Sequence, residues 1–146
     1  MSLKFLTAFL FLALALFLQS FFGAVSGIWI DFALAALVAS AFSIGFLELL
    51  ILVLCSLFVL NFQPALSPEL LVFAALPFAA WFLHRAKLLP FEPPLVNAIA
   101  LALALAVFYA IFGAHLVLAA PQLFLFDLAG SLAAGIVIFR GLESMQ

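Results

Sequence analysis

The sequence predicts an all-α fold: a polytopic membrane protein built as a six-helix transmembrane bundle with short loops. Three observations predict it. Of 146 residues, 71% are hydrophobic and only 7% are charged, whereas a soluble domain needs about a quarter of its residues charged to keep its surface in water. Glycines, prolines and charges divide the apolar sequence into segments of helical length. The four Lys and Arg residues are placed as a consistent membrane orientation requires.

The same composition limits the classes of function. The net charge of −2 gives no basis for a nucleic-acid partner, and the lipid bilayer is the solvent that such an apolar surface requires. The single cysteine, Cys55, allows no internal disulfide, and no cysteine–histidine cluster has metal-ligand spacing. Serine-hydrolase, zinc-protease, Walker A and dinucleotide-binding motifs do not occur. We therefore expect one membrane domain over residues 1–146, no enzyme activity and no cofactor.

The first apolar segment begins around Lys4 and predicts a span over residues 3–22 that ends before Gly23. The small residues at 24–26 leave a cleavable secretory signal as the alternative. Because further spans follow almost at once, we expect a first membrane helix that stays in the protein.

The long apolar segment Phe32–Phe62 decides the topology. It contains 31 residues interrupted only at Glu48, and would be about 46 Å long as one helix at about 1.5 Å per residue. The hydrocarbon core is only about 30 Å thick, and a carboxylate is more stable in a turn at the membrane surface than at the bilayer centre. We therefore expect two spans, residues 31–46 and 48–62, that meet near Gly45 and Glu48.

Three further spans are expected, over residues 68–84, 95–113 and 121–140. The fourth span has a clear start at Ser67–Glu69, because serine can cap a helix, proline tolerates its first turn and an acid suits its positive end. Pro77 inside this span should kink it.

The basic residues predict the orientation. With six spans and a cytoplasmic N-terminus, Lys4, Arg85, Lys87 and Arg140 all fall on the cytoplasmic side, as does the C-terminus. We expect these residues to anchor the topology of a multi-pass protein in the cytoplasmic (inner) membrane. The alternative for Arg85 and Lys87 is a docking patch for a cytoplasmic partner or for anionic lipid.

Small residues at i, i+4 spacing predict helix faces that pack closely, since helices in lipid associate through close backbone approach. We expect those of the second and sixth spans to pack inside the bundle. The longer ridge of the fifth span suits an interface with another integral membrane protein equally well. The candidate interface residues are Ala35 and Ala39 in the second span, Ala98, Ala102, Ala106, Ala110 and Ala114 in the fifth, and Gly130 and Ala134 in the sixth.

Polar residues inside the predicted spans are candidates for function, because burying them in lipid is costly. Asp127 is expected either to pair with a partner or ligand or to lie near the membrane surface. Glu48 is either a functional intramembrane acid or a turn residue, and Asn61 is the third candidate. Gln19 and Tyr109 need hydrogen-bond partners if they face the bundle interior.

The layout resembles the MreD family of rod shape-determining membrane proteins over about the first 90 residues. The resembling features are a first helix ending in Leu18–Ser20, Ile30–Phe32 at the start of the second span, Gly45–Phe46 at a tight turn, a polar residue at Asn61 and a basic loop after the fourth span. The resemblance implies a non-enzymatic subunit of the bacterial cell-elongation machinery. Its partners would be other integral membrane proteins, namely a periplasmic scaffold protein and wall-synthesis enzymes.

In size, span count and small-residue ridges, the chain is also similar to the substrate-capture subunits of energy-coupling-factor vitamin transporters. That resemblance implies a vitamin site under the outer loops and an alanine face that docks on a transmembrane coupling subunit. A vitamin site needs several convergent polar or aromatic groups, whereas the outer polar residues are few and scattered along the sequence. We therefore favour the cell-elongation subunit. The outer residues are Trp29, Asp31, Gln63, Glu69, Tyr109, His115, Gln122 and Asp127.

Overall fold

The structure, a computed structural model, describes residues 2–26, 30–60 and 67–145, and all regular secondary structure in these ranges is helical. Within these ranges the prediction of an all-α fold with six helices is confirmed. The helices are α1 (Leu3–Ser26), α2 (Phe32–Ala41), α3 (Phe46–Leu60), α4 (Pro68–Arg85), α5 (Pro93–Ala119) and α6 (Pro121–Glu143). Helix α5 contains one π-helical turn, Tyr109–Gly113.

Helix α2 is the centre of the fold. Every residue of Ala33–Ala41 is buried, and the other five helices all pack against α2. Half of its residues are alanine, with one serine and no aromatic ring after Phe32, so neighbouring backbones can approach closely. Ten residues span only about 15 Å. Helix α2 is therefore half the length that the hydrocarbon core requires.

The apolar segment after Asp31 folds back between α2 and α3. The backbone N–H groups of Ser43 and Ile44 both donate to the carbonyl oxygen of Ser40, at 2.9 and 3.1 Å. Glu48 closes the turn, since its Oε2 accepts from the backbone N–H of Gly45 at 3.2 Å. A carboxylate in the first turn of a helix also suits the positive end of the helix dipole.

Helix α4 runs through Pro77 to Arg85, within one residue of the expected bounds. Three other helices differ from the expectation. Helix α1 continues through Gly23 to Ser26, and α2 ends at Ala41, five residues before the expected bound. Helix α5 extends six residues beyond Gly113, so His115 is helical rather than a loop residue. The six helical residues after Gly113 are mostly apolar, and the π turn includes the glycine.

Three helices, α1, α5 and α6, are long and apolar enough to cross a membrane. Large hydrophobic side chains cover the outside of the bundle, for example Leu118 and Phe58, which are 86% and 84% exposed. Such a surface suits lipid rather than water.

Contacts between helix termini define two ends of the bundle. At one end, Ser2 Oγ donates to Glu48 Oε1 at 2.8 Å, and the Phe42 and His84 rings lie 4.7 Å apart. The Phe139 ring also packs on Phe42 at this end. We call it the basic end, because all four Lys and Arg residues are close in sequence to these contacts. They are Lys4, Arg85, Lys87 and Arg140. The opposite end, at the N-terminus of α2, is the acidic end.

Candidate functional site

A cluster of polar side chains surrounds the buried N-terminus of α2, with Asp127 of α6 at its centre. Asp127 is only 1% exposed and accepts three hydrogen bonds. Its Oδ1 accepts from the backbone N–H of Asp31 at 2.8 Å and from Ser131 Oγ at 2.9 Å. Its Oδ2 accepts from the Tyr109 hydroxyl at 2.5 Å. Asp127 thus joins α2, α5 and α6 inside the protein.

The cluster lies where the buried N-terminus of α2 requires hydrogen-bond acceptors. The first N–H groups of a helix have no partner within the helix, and the helix dipole is positive there. At α2, the N–H of Asp31 donates to Asp127 and to Ser131 Oγ, and the N–H of Ala33 donates to Gln19 Oε1 at 3.0 Å. Side chains of α1 and α6 therefore cap the N-terminus of α2 from 14 to 100 positions away in the chain.

Two acidic residues lie together in the cluster, since the backbone N–H of Asp31 donates to the carboxyl group of Asp127. Lys, Arg and His are all absent from this cluster, as far as the described residues extend. The Asp127 carboxyl group accepts three hydrogen bonds, and an acid beside a helix N-terminus suits the positive end of the helix dipole.

A cavity of about 650 Å³ lies next to the cluster. It exists because α2 is short: α1 continues seven residues past Gln19, and α5 continues ten residues past Tyr109, so both extend beyond the start of α2. Its lining contains two acids, one amide, one phenol and four phenylalanine rings, with no basic side chain among the described residues. The lining residues are Gln19, Asp31, Leu60, Glu69, Leu70, Phe73, Phe108, Tyr109, Phe112, Gly113, Leu116, Ala120, Leu123 and Phe124.

The composition of the cavity wall resembles that of small-molecule sites. The described part of the chain has no group of three or more His, Cys, Asp or Glu side chains that could hold a metal ion. The free thiol of Cys55 lies on α3 and does not line the cavity. What the cavity offers is an apolar and aromatic wall with a few fixed polar groups, which is the usual composition of a small-molecule site.

The structure places four of the eight polar and aromatic residues that we expected on the outer side in or beside the cavity. Asp31, Glu69 and Tyr109 line the cavity, and Asp127 lies behind Asp31. His115 and Gln122 are exposed and do not line it. Trp29, Asn61 and Gln63 lie outside the described residues.

The candidate interface residues divide into two groups. Ala35 and Ala39 are completely buried in α2, and Gly130 lies against Ile30 while Ala134 is half-buried. On α5 the ridge runs along the outside. Ala98 and Ala102 are half-buried, whereas Ala106, Ala110 and Ala114 are exposed, and α5 packs into the bundle with the opposite face.

The remaining candidates lie at the basic end. Glu48 is half-buried at the turn before α3 and hydrogen-bonds to Ser2 and Gly45. Lys4 is half-buried, and Arg85, Lys87 and Arg140 are exposed. Arg140 forms an exposed ion pair with Glu143 at 3.4 Å.

Two residues of the cluster were not identified from the sequence as its members, namely Gln19 as a cap of α2 and Ser131 as a partner of Asp127. Asp127 and Ser131 are four residues apart on one helix, so the spacing does place them on one face. The cap by Gln19 has no local signal, because it joins residues 14 positions apart in different helices.

Comparison of the chain with known protein families, curated proteins and solved structures finds no match.

Proposed function

We propose that the protein is a non-enzymatic, multi-pass subunit of the cytoplasmic membrane that acts through helix-face contacts with other membrane proteins. Its class is that of the MreD-type subunits of bacterial cell-elongation complexes. The observation that carries the proposal is the exposed ridge Ala106, Ala110 and Ala114 on α5. Small residues allow two helices to approach closely in lipid, and this bundle does not use the ridge for its own packing.

The proposed topology has six passes and both termini in the cytoplasm. The clustering of Lys4, Arg85, Lys87 and Arg140 at one end of the bundle supports it, because positive residues favour the cytoplasmic side. In this arrangement α2 is a short pass, and its N-terminus stops at the acidic end below the outer membrane surface.

Site-specific photo-crosslinking in cells tests the proposed interface. A benzoylphenylalanine at Ala106 should give a discrete adduct with a membrane subunit of the wall-elongation machinery, identified by mass spectrometry. The same probe at Val137, which is 67% exposed on α6, is the matched control and should give no such adduct. Equal adducts at both positions, or none at Ala106, would contradict the interface.

A second function, capture of a small molecule, is favoured by a different observation. The cavity of about 650 Å³ brings Gln19, Asp31, Glu69 and Tyr109 together with four phenylalanine rings. This convergence is what a binding site requires and what the sequence by itself did not indicate. The two functions do not exclude each other, since the ridge and the cavity occupy different surfaces.

Calorimetry with the purified protein separates the two. If the protein is only an interaction subunit, no vitamin of a broad panel should bind with submicromolar affinity. Stoichiometric, tight binding that Glu69→Gln weakens would establish the capture function. Glu69 is suited to this test because its side chain is exposed at the start of α4, so the substitution should leave the fold intact.

A further inference from the structure

A second cavity lies at the basic end, between the C-terminus of α4 and the start of α5, and has a volume of about 500 Å³. It is separate from the acidic-end cavity and shares no lining residue with it. Its lining contains both basic and apolar side chains. The lining residues are Leu83, His84, Arg85, Lys87, Leu89, Pro90, Phe91, Pro93 and Val96.

The charge of this cavity is unusual for the chain. The protein has only four Lys and Arg residues and two His residues, and three of these six line this one cavity. The described part of the chain places no acid in its wall. Arg140 is neutralised by Glu143, whereas the described residues include no ion pair for Arg85 or Lys87. The cavity therefore offers positive charge that no acidic side chain of the described residues neutralises.

The backbone at Lys87 gives a second, independent observation. Lys87 has a φ of +49°, the left-handed conformation that favours glycine. It ends α4 in a Schellman motif, in which the N–H of Leu88 donates to the carbonyl of Leu83 and that of Lys87 to the carbonyl of His84. Glycine is the usual residue at this position. A lysine at this position costs stability that a glycine would not, and its side chain lines the cavity.

The surroundings indicate the kind of anion. Leu83, Leu89, Phe91 and Val96 form an apolar wall beside the basic groups. The Arg85 guanidinium lies 5.5 Å from the centre of the Trp81 ring, and tryptophan is typical of the membrane–water interface. A ligand that fills this cavity therefore carries an anionic group at the interface and hydrocarbon next to it.

We propose that this cavity binds one anionic phospholipid, with Arg85, Lys87 and His84 around the phosphate and the acyl chains against the apolar wall. Basic pockets between membrane helices on the cytoplasmic side bind such headgroups. The site goes beyond the proposed function and does not depend on it, because the α5 ridge and the acidic-end cavity contribute no residue.

Native mass spectrometry of the full-length protein tests the proposal, with equimolar dioleoyl-phosphatidylglycerol and dioleoyl-phosphatidylcholine as probes. The wild-type protein should retain one phosphatidylglycerol in preference to phosphatidylcholine. Arg85→Gln and Lys87→Gln should each reduce this preference about fivefold, the effect of one cation near an anionic lipid surface. Arg140→Gln is the matched control, since it removes a cation from the same end but outside the cavity, and should leave the preference unchanged.

Lys87→Gly separates loss of lipid binding from loss of folding. Glycine suits the left-handed conformation, so this variant should have a higher Tm than the wild type while its phosphatidylglycerol preference falls about fivefold, as in Lys87→Gln. Equal retention of both lipids by the wild type, or an equal loss in Arg140→Gln, would overturn the proposal.

Inorganic phosphate distinguishes a lipid site from a general anion site. Millimolar phosphate should leave the retained phosphatidylglycerol in place, because free phosphate has no contact with the apolar wall. Displacement of the lipid by phosphate would overturn the assignment to a phospholipid.

Discussion

Asp31 donates its backbone N–H to the carboxyl oxygen of Asp127 at 2.8 Å, although 96 positions separate the two residues in the chain. The bond joins the start of the central helix to α6. With Ser131 and Tyr109 it holds the positive end of a helix that is buried inside the bundle. A helix start in this position would otherwise leave N–H groups without partners, which is costly away from water. The cluster therefore helps to stabilise the N-terminus of α2 inside the protein.

Substitution of Asp127 tests this role. Asp127→Ala removes the acceptor of the Ser131 and Tyr109 hydroxyls and one of the two acceptors of the Asp31 N–H, and each unsatisfied buried group costs about 1–3 kcal/mol. We expect a loss of at least about 2 kcal/mol in the free energy of unfolding, measured by denaturant titration in detergent. Asp127→Asn retains an acceptor oxygen and should lose roughly 1 kcal/mol. Equal effects of the two variants would argue against the hydrogen bonds as the cause.

Gly113 should be required for the position of Tyr109. A Cβ atom at Gly113 would lie 2.6 Å from the Tyr109 ring, so Gly113→Ala must displace the ring and with it the hydroxyl that donates to Asp127. We expect a lower Tm and a changed tyrosine environment by near-ultraviolet circular dichroism. Gly45→Ala is the control, since its Cβ would meet only ordinary contact at 3.9 Å. A fall in Tm for Gly45→Ala but not for Gly113→Ala would refute the assignment.

The two sets of alanines should respond differently to enlargement. Ala39 has no exposed surface, so Ala39→Leu overpacks the core and should cost about 1–3 kcal/mol of stability. Ala110 is exposed, and Ala110→Leu should change the stability of the isolated protein by less than about 0.5 kcal/mol. Thermal unfolding of the purified variants measures both. In cells, Ala110→Leu should nevertheless reduce the crosslinked adduct at Ala106, because a larger side chain prevents close helix approach.

Lys87 should limit the stability of the protein. Relief of the left-handed conformation in Lys87→Gly should raise the free energy of unfolding by about 1 kcal/mol. Lys87→Ala keeps the unfavourable backbone and removes only the charge, so it should not become more stable. Chemical denaturation of the two variants in parallel separates the backbone effect from the charge effect.

Reporter fusions test the proposed orientation. A fusion at Lys87 and one at the C-terminus should both report the cytoplasm, whereas one at Ser67 should report the outer side. Helix α4 is the one helix between Ser67 and Lys87, so opposite locations follow if α4 crosses the membrane. The same location for both would mean that it does not.

Several features of the fold follow from local sequence. A hydrophobic content of 71% predicts helices, because lipid offers no hydrogen-bond partners and a helix pairs the backbone N–H and C=O groups within itself. Proline and serine at Ser67 and Pro68 fix the start of α4, and Ser67 Oγ does accept from the backbone N–H of Leu70, at 3.4 Å. The polar Glu48 similarly marks the region in which the long apolar segment turns back. Each of these signals acts within one or two helical turns.

Local sequence did not determine which helix faces are buried. In a soluble helix the polar face reveals the buried one, but lipid and the protein interior are both apolar, so this contrast is missing along α2 and α5. The alanines of α2 and the alanine ridge of α5 look alike in the sequence, yet Ala35 is completely buried and Ala110 is exposed. Tertiary packing alone placed the short α2 in the centre. It thereby opened the cavity at the acidic end and brought Gln19, Asp31, Tyr109 and Asp127 together.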